Sequence, residues 1–409
     1  MFREKKNIVR LAVFLLAALI AVGSVTAGVL GFLHRDSGYH DVDYSVQTAV
    51  TLFDSGVHLR YYLSGSSSRI RADLREVQDV YSDALLWAYR QLDEDGTYEG
   101  VRNLASLNAA PGEWVEISAF LADTLRDALR RTEAGQGYSL FAGPLFREWR
   151  TLRWLEEPAE ADPVNRPEEA DLLREMTAWL RDPDAFSLEV EDGRARLNVS
   201  EEYRAWAREN DVGAPVLSLN LMKDAYLLEY VAGQLRGRGF SSGYLYTDSG
   251  FSVQMADTGS TPYRVPGALK AAGPSDAGEI VLPSPSAFCR FAAFPMNGER
   301  YGYYALEGES GPVYRHAFVS TESGEPARQV LTAAVGGPMA ELREMAYSLV
   351  ILCTAQDPAA EAAAIARQPR PGVFLAFTLQ DAPAGPVYFA GEGTMTPAEG
   401  VKLVPVPEA

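Results

Sequence analysis

Along this chain the hydrophobic positions switch between strand-like and helix-like spacing. Residues 47–63 alternate loosely and put Val57, Leu59 and Tyr61 on one face, which predicts a strand. Residues 69–92 carry Ile70, Leu74, Val77, Tyr81, Leu85 and Ala88 at near-helical spacing, the stripe of a helix with one buried face. Asp-Glu-Asp-Gly at 93–96 closes it. A second helix is predicted over 118–134, with Ser118 as its N-cap and Gly135 just past its end. The stretch 156–169, rich in Pro, Glu and Ala, reads as a linker or loop. A short helix over 168–181, a hairpin turning at Asp192-Gly193 and a long helix near 222–238 follow.

The second half is richer in strand patterns. Tyr244–Val253, Tyr301–Leu306, Val313–Val319 and Gln329–Val335 read as strands separated by Gly, Ser and Pro. A strongly apolar helix over 338–353, another over Ala359–Arg367 and a closing strand at Val373–Leu379 complete the pattern. Helices and strands in mixed order predict an α+β fold, mixed sheets with packed helices, rather than a regular parallel sheet.

The N-terminus is of another kind. Arg3, Lys5, Lys6 and Arg10 precede an apolar run from Leu11 to Leu33. At ~1.5 Å rise per residue this run reaches across a hydrocarbon core of ~30 Å. The basic leader keeps the N-terminus in the cytoplasm, so everything after about residue 35 is expected outside it. Two readings stay open: a retained single-pass anchor at the cell membrane, or a signal cleaved after Ala27. The expected organisation is 1–35 anchor or signal, 36–46 tether, 47–381 globular body and 382–409 C-terminal tail.

Composition narrows the partners. A formal net charge of -18 argues against nucleic acid, which requires clustered Lys and Arg. Two cysteines, Cys289 and Cys353, are too few for a disulfide framework, and a single bridge would need them close in space. With four histidines and no CxxC, a zinc site is disfavoured.

Four ordered segments carry a resemblance. They are LASLNAAPGEWVEIS (104–118), GYSLFAGPLFREW (137–149), LSLNLMKDAY (217–226) and RHAFVSTESGEP (315–326). In this order and spacing they resemble the FAD:protein FMN transferase family, from about residue 47 to residue 380. The resemblance implies a protein that binds FAD and Mg²⁺ and splits the pyrophosphate. It would then attach FMN through a phosphoester to a Thr or Ser of a flavin-acceptor protein, membrane-bound or exported, releasing AMP.

Residue by residue, the resemblance assigns Lys223, Gly56, Gly250 and Ser320 to cofactor binding and His316 to catalysis. The Met222 backbone carbonyl, Glu344 and Ser348 fall where the family holds its metal. The spacing of Glu344 and Ser348, four apart on a predicted helix, lets two hard oxygens face one point. The chain also departs from the family. Leu219, Asn220 and Asp224 replace glycines that let ligand approach the backbone, and Asp224 adds negative charge on the expected phosphate path. Phe251 stands where an Asp is expected, and Ala317 replaces a second histidine. The aromatic residues between Phe288 and Tyr304 are read as core rather than as a flavin stack. Two functions are therefore carried forward. One is an impaired flavin transferase; the other is a non-catalytic extracytoplasmic binding module that keeps the fold but has lost the flavin site.

Overall fold

The alternation around Val57 becomes the strand Val57–Leu63, burying Val57, Leu59, Tyr61 and Leu63 and turning the residues between them outward. It lies in a nine-stranded sheet of a computed structural model. The structure describes residues 37–52, 55–135, 137–213, 215–256, 263–266, 269–271, 275–282, 285–294, 302–308, 311–368, 372–382, 385–391 and 394–406. The sheet runs Gly38–Val42, Val57–Leu63, Gly243–Thr247, Phe251–Gln254, Ser286–Ala292, Val330–Pro338, Phe374–Leu379, Val387–Gly391, Leu403–Pro405. All neighbours pair antiparallel except the last two strands, which are parallel.

Amphipathic helices cover this sheet. Ser67–Gln91 packs on Met222–Gly237, which meets Leu342–Thr354, and the latter lies on strands Val330–Pro338 and Ser286–Ala292. Leu59, Leu85, Leu228, Val253, Val335 and Leu349 belong to the shared core. A second cluster, around Ile280, Phe288 and Phe374, includes residues of the smaller sheet of Tyr263–Pro266, Gly278–Leu282 and Thr394–Pro397. The α+β expectation holds.

Ser118 caps Ala119–Glu133 as its position predicts. Its Oγ accepts the Leu121 N–H at 3.2 Å and its hydroxyl donates to Gln91 Oε1 at 2.6 Å. Ser118→Ala is expected to cost about 1 kcal/mol in denaturant unfolding. A loss indistinguishable from zero would show that the cap does not anchor this helix.

Several boundaries move. Residues 49–52 are a short helix, not strand, and the stretch read as one strand at 244–253 is a hairpin of Gly243–Thr247 and Phe251–Gln254. Gly250 turns it with φ +100, where a Cβ would lie 2.6 Å from the Arg290 carbonyl oxygen. Gly143–Arg153, Glu201–Glu209 and Ser286–Ala292 are elements that the hydrophobic pattern does not announce. The stretch expected as a C-terminal tail supplies strands to both sheets, because Val387–Gly391 finds an open edge beside Phe374–Leu379. Cys289 and Cys353 are buried free thiols, with burial pushing both pKa values up. The segment 1–35 lies outside the described residues; among those described, no helix is long and apolar enough to cross a membrane.

Candidate functional site

The four segments singled out in the sequence interlock through hydrogen bonds. The Asn108 side chain clamps residue 217, accepting the Leu217 N–H at 2.8 Å and donating to its carbonyl at 3.0 Å. The Ser218 N–H donates to the Leu140 carbonyl at 2.9 Å, and the Gly143 N–H to the Val216 carbonyl at 3.1 Å. Gly143 is required there, since a Cβ would sit 2.0 Å from the Pro215 carbonyl oxygen. Trp149, fully buried, donates its indole N–H to the His316 carbonyl at 2.8 Å. Pro144 at the start of Gly143–Arg153 presets the first helical turn.

This assembly encloses a cavity of about 340 Å³ between the 93–95 loop, the Gly143–Arg153 helix, residues 218–224 and Ala317. Arg147, Arg150 and Arg153 reach it from one face of their helix, and Lys223 from the first turn of Met222–Gly237. The Lys223 ammonium lies 4.5 Å from the Tyr89 ring centroid. Arg147 is paired with Asp95. The Arg153 guanidinium donates to the Gly302 carbonyl at 2.6 Å, and burial lowers its pKa to about 10.

Carboxylates share the space. Burial pushes the Glu94 carboxyl up against the pull of Ser218 and Lys223. Burial likewise raises Asp224, although Ser249 donates to its carboxylate and Lys223 stands beside it. Burial acts upward on Asp93 too, but hydrogen bonds from Tyr98, Gly96 and Asp95 outweigh it and hold that carboxyl low. Asn220 lines the same cavity in the left-handed region, φ +44, a backbone conformation that glycine favours and asparagine tolerates.

A second polar centre lies between helices. The Arg131 guanidinium is 3% exposed and donates from Nε to Asp127 Oδ2 at 2.9 Å and from Nη2 to Asp127 Oδ1 at 3.2 Å. The same Nη2 donates to Glu344 Oε1 at 2.9 Å. The Tyr226 hydroxyl donates to Asp127 Oδ2 at 2.8 Å, and the Tyr347 ring centroid lies 4.9 Å from the guanidinium carbon. Arg131 and Asp127 belong to Ala119–Glu133, Tyr226 to Met222–Gly237, and Glu344 and Tyr347 to Leu342–Thr354. One cation thus ties three helices together.

No protein-family model matches the sequence, and no curated protein matches it either. Solved structures do. The chain is similar to the ApbE protein of Thermotoga maritima, with a TM-score of 0.56 and 15% identity over 88% of this chain and 97% of that one. It is also similar to the flavinyl transferase ApbE of Pseudomonas stutzeri in its apo form, at 0.51 and 12%, covering 89% of this chain and 94% of that one. The fold is that of the ApbE flavin transferases. At such identities the likeness carries the fold alone, and the chemistry must be judged on this chain's own residues.

On the ApbE fold the sequence-assigned residues separate into groups. Lys223 lines the cavity, and Met222, buried, opens the same helix. Gly56 and Gly250 are not among the residues that line the cavity. The Gly56 carbonyl accepts the Asp248 N–H at 3.0 Å, and Ser249 holds Asp224. Ser320 belongs elsewhere: its Oγ accepts the Glu322 and Ser323 N–H groups, both at 3.2 Å, beside a separate cavity of about 280 Å³.

His316 does not stand as an accessible base. It is 1% exposed, edge-on to Phe291 at 4.6 Å, and its Nδ1 accepts the Phe318 N–H at 3.3 Å. Burial, with Arg153 and Arg315 nearby, lowers its pKa to about 3. It is a neutral imidazole in the core.

The positions that the resemblance assigns to Mg²⁺ carry a single carboxylate, Glu344. Among the described residues no three His, Cys, Asp or Glu side chains are grouped to hold a metal ion. Glu344 is already committed to a guanidinium, and Ser348 is buried. Unit charges ~4 Å apart interact by about 4 kcal/mol at an effective dielectric of ~20, so Arg131 opposes a dication there while Asp127 and Glu344 attract it.

The residues that sequence reasoning missed are mainly arginines. Arg147, Arg150 and Arg153 follow i, i+3, i+6 spacing, a usable signal once 143–153 is seen as a helix. Arg131 and Asp127 gave an i, i+4 pair that signalled nothing about Glu344, 213 residues further on.

Proposed function

We propose that the protein is a binding module on the ApbE fold that takes a phosphate-bearing nucleotide in the cavity beside Lys223 and does not carry out Mg²⁺-dependent FMN transfer. The observation that carries the reading is the Arg131–Glu344 pair at 2.9 Å, which commits the carboxylate that the transferase reaction would need for its metal. The buried, neutral His316 supports the absence of transfer, whereas Asp224 sets an opposing charge in the cavity. The cations from Arg147, Arg150, Arg153 and Lys223 supply phosphate affinity without a metal. Outside the cytoplasm, tethered by the N-terminal apolar run or released after cleavage, such a module would present or sense a nucleotide; FAD is the first to test.

FMN transfer to an acceptor hydroxyl remains the second reading. It is favoured by the hydrogen-bonded assembly of the four family-like segments around Lys223.

The test is FAD titration followed by thermal shift, once with MgCl₂ and once with EDTA. A flavin-fluorescence gel of a Thr-containing acceptor protein accompanies it. The expected result is FAD stabilisation that is equal in both buffers, with no flavin on the acceptor. Mg²⁺-dependent labelling of the acceptor establishes the transferase reading instead. No stabilisation by FAD, FMN or ADP sinks the binding reading.

A further inference from the structure

Outside the lining of that cavity lies a buried ion pair that neither reading uses. Arg315 and Asp162 are 2% and 0% exposed, with Arg315 Nε donating to Asp162 Oδ2 at 2.7 Å and Nη2 to Oδ1 at 3.2 Å. The carboxylate is saturated, since the Tyr304 hydroxyl also donates to Oδ2 at 2.7 Å and the Val164 N–H to Oδ1 at 2.9 Å. The guanidinium is not. Its Nη1 is buried and has no hydrogen-bond partner among the described residues. A buried cationic donor left unmade costs more than a neutral one, which marks this end of Arg315 as a place where an acceptor belongs.

Beside it opens a cavity of about 460 Å³ lined by Arg315, Arg174, Arg328, Pro163, Val164 and Pro326, among others. Its size falls within the ~300–1,000 Å³ range of small-molecule sites. The walls are fixed by structure rather than by loose loops. Gly324, at φ +74, lets the 320–325 turn approach the Pro167–Arg181 helix so closely that a Cβ would lie 2.6 Å from the Leu173 carbonyl oxygen. The Ser320 N–H donates to the Glu325 carbonyl at 2.9 Å and closes that turn. On the other side, Asp162 pins the 162–166 loop by accepting Asn165 and Arg166 N–H groups on its carbonyl, at 2.8 and 2.9 Å. Val164 is 66% exposed, an apolar residue at the mouth that solvation alone does not favour.

We infer that this cavity is a second binding site, for a small organic oxyanion whose carboxylate or phosphate is drawn by the guanidinium groups of Arg315, Arg328 and Arg174 and whose apolar body rests on Pro163, Val164 and Pro326. Arg328 and Arg174 add cationic charge at the rim, Arg174 being shared with Asp171 and Glu325 placing one opposing charge beside it. A guanidinium fork selects a planar carboxylate or a phosphate over a neutral amide of the same shape.

The experiment is calorimetric titration of the full chain with isovalerate, isobutyl phosphate, free inorganic phosphate and, as the uncharged control, isovaleramide. The site predicts saturable binding of an organic anion and none of the amide. Isovalerate against isobutyl phosphate decides which oxyanion is taken, and tighter binding than inorganic phosphate shows that the apolar wall contributes. Arg328→Glu, an exposed change that leaves the Arg315–Asp162 pair intact, should weaken that binding about tenfold. Arg150→Glu, in the nucleotide cavity, should leave it unchanged. No saturable binding of either organic anion overturns the inference, as does binding that Arg328→Glu leaves intact or Arg150→Glu weakens equally. FAD binding is measured on the same variants, so failure here stays separate from failure of the proposed function.

Discussion

Arg131→Ala should lower the unfolding free energy by about 3–5 kcal/mol, the cost of leaving buried carboxylates without their cation. Arg131 is nearly fully enclosed and meets two carboxylates through hydrogen bonds between 2.9 and 3.2 Å, so its removal leaves Asp127 to the exposed Arg130 and to Tyr226 and takes this bond from Glu344. Arg130 lies 3.6 Å from Glu344 but is 65% exposed, so it can relieve only part of the loss. Denaturant unfolding at neutral pH measures the effect, and Arg131→Met with Glu344→Gln and Asp127→Asn should recover much of it by removing the stranded charges. The same substitution tests the functional reading. With the guanidinium gone, Asp127 and Glu344 become a pair of oxygen donors that Mg²⁺ or Ca²⁺ can neutralise. Divalent cations should therefore raise the melting temperature of Arg131→Ala and leave the native chain unaffected. Equal Mg²⁺ stabilisation of both proteins would show that the arginine does not displace a metal.

The Arg131 centre was not legible in the sequence, because its partners are held together only by the folded arrangement of three helices. What was legible has a common physical character. Ser67–Gln91 and Ala119–Glu133 bury one face each, so their apolar stripes appear at helical period. Ser286–Ala292 is buried on both sides, which erases the alternation that would have marked it. The turn Asp248-Ser249-Gly250 was hidden because flanking Tyr244, Tyr246 and Val253 continue an apolar pattern across it. Gly143–Arg153 begins with Gly-Pro, a pair that reads as a break, whereas here glycine serves close approach and proline starts the helix.

The candidate site divides along the same line. The segment that carries Lys223 could be picked out because the four segments bond to one another and keep a recognisable order. Residue 220 shows why a changed letter need not change the backbone: asparagine keeps a left-handed conformation there. Asp224 shows the opposite case, where the new side chain is drawn into a bond with Ser249 and carries its carboxyl into the site. Position matches therefore transferred the scaffold, while the charges that decide chemistry had to be read from contacts.

His316 should make the protein acid-sensitive in a window where most carboxylates are still ionised. Its folded pKa is lowered to about 3, against an unfolded value near 6.5, by burial and by the approach of Arg153 and Arg315. Below pH ~6.5 the unfolded chain binds a proton there that the folded chain refuses, so stability is full above that pH and falls as pH drops towards the folded value. One such group contributes up to about 1.4 kcal/mol per pH unit, or about 2–3 kcal/mol between pH ~6.5 and ~4.5. His316→Phe fits among Phe291 and Phe318 at the loss of the bond from the Phe318 N–H. The variant should be somewhat less stable at pH 7 and should lose most of this dependence. Glu94, Asp224 and Glu361 have raised folded values and act with the opposite sign in part of the window, but they are common to both proteins and cancel in the difference. Chemical unfolding of both proteins at pH 7 and pH 4.5 gives the comparison. Parallel pH profiles would mean that the imidazole exchanges protons in the folded state, which would restore His316 as a candidate base and with it the transferase reading.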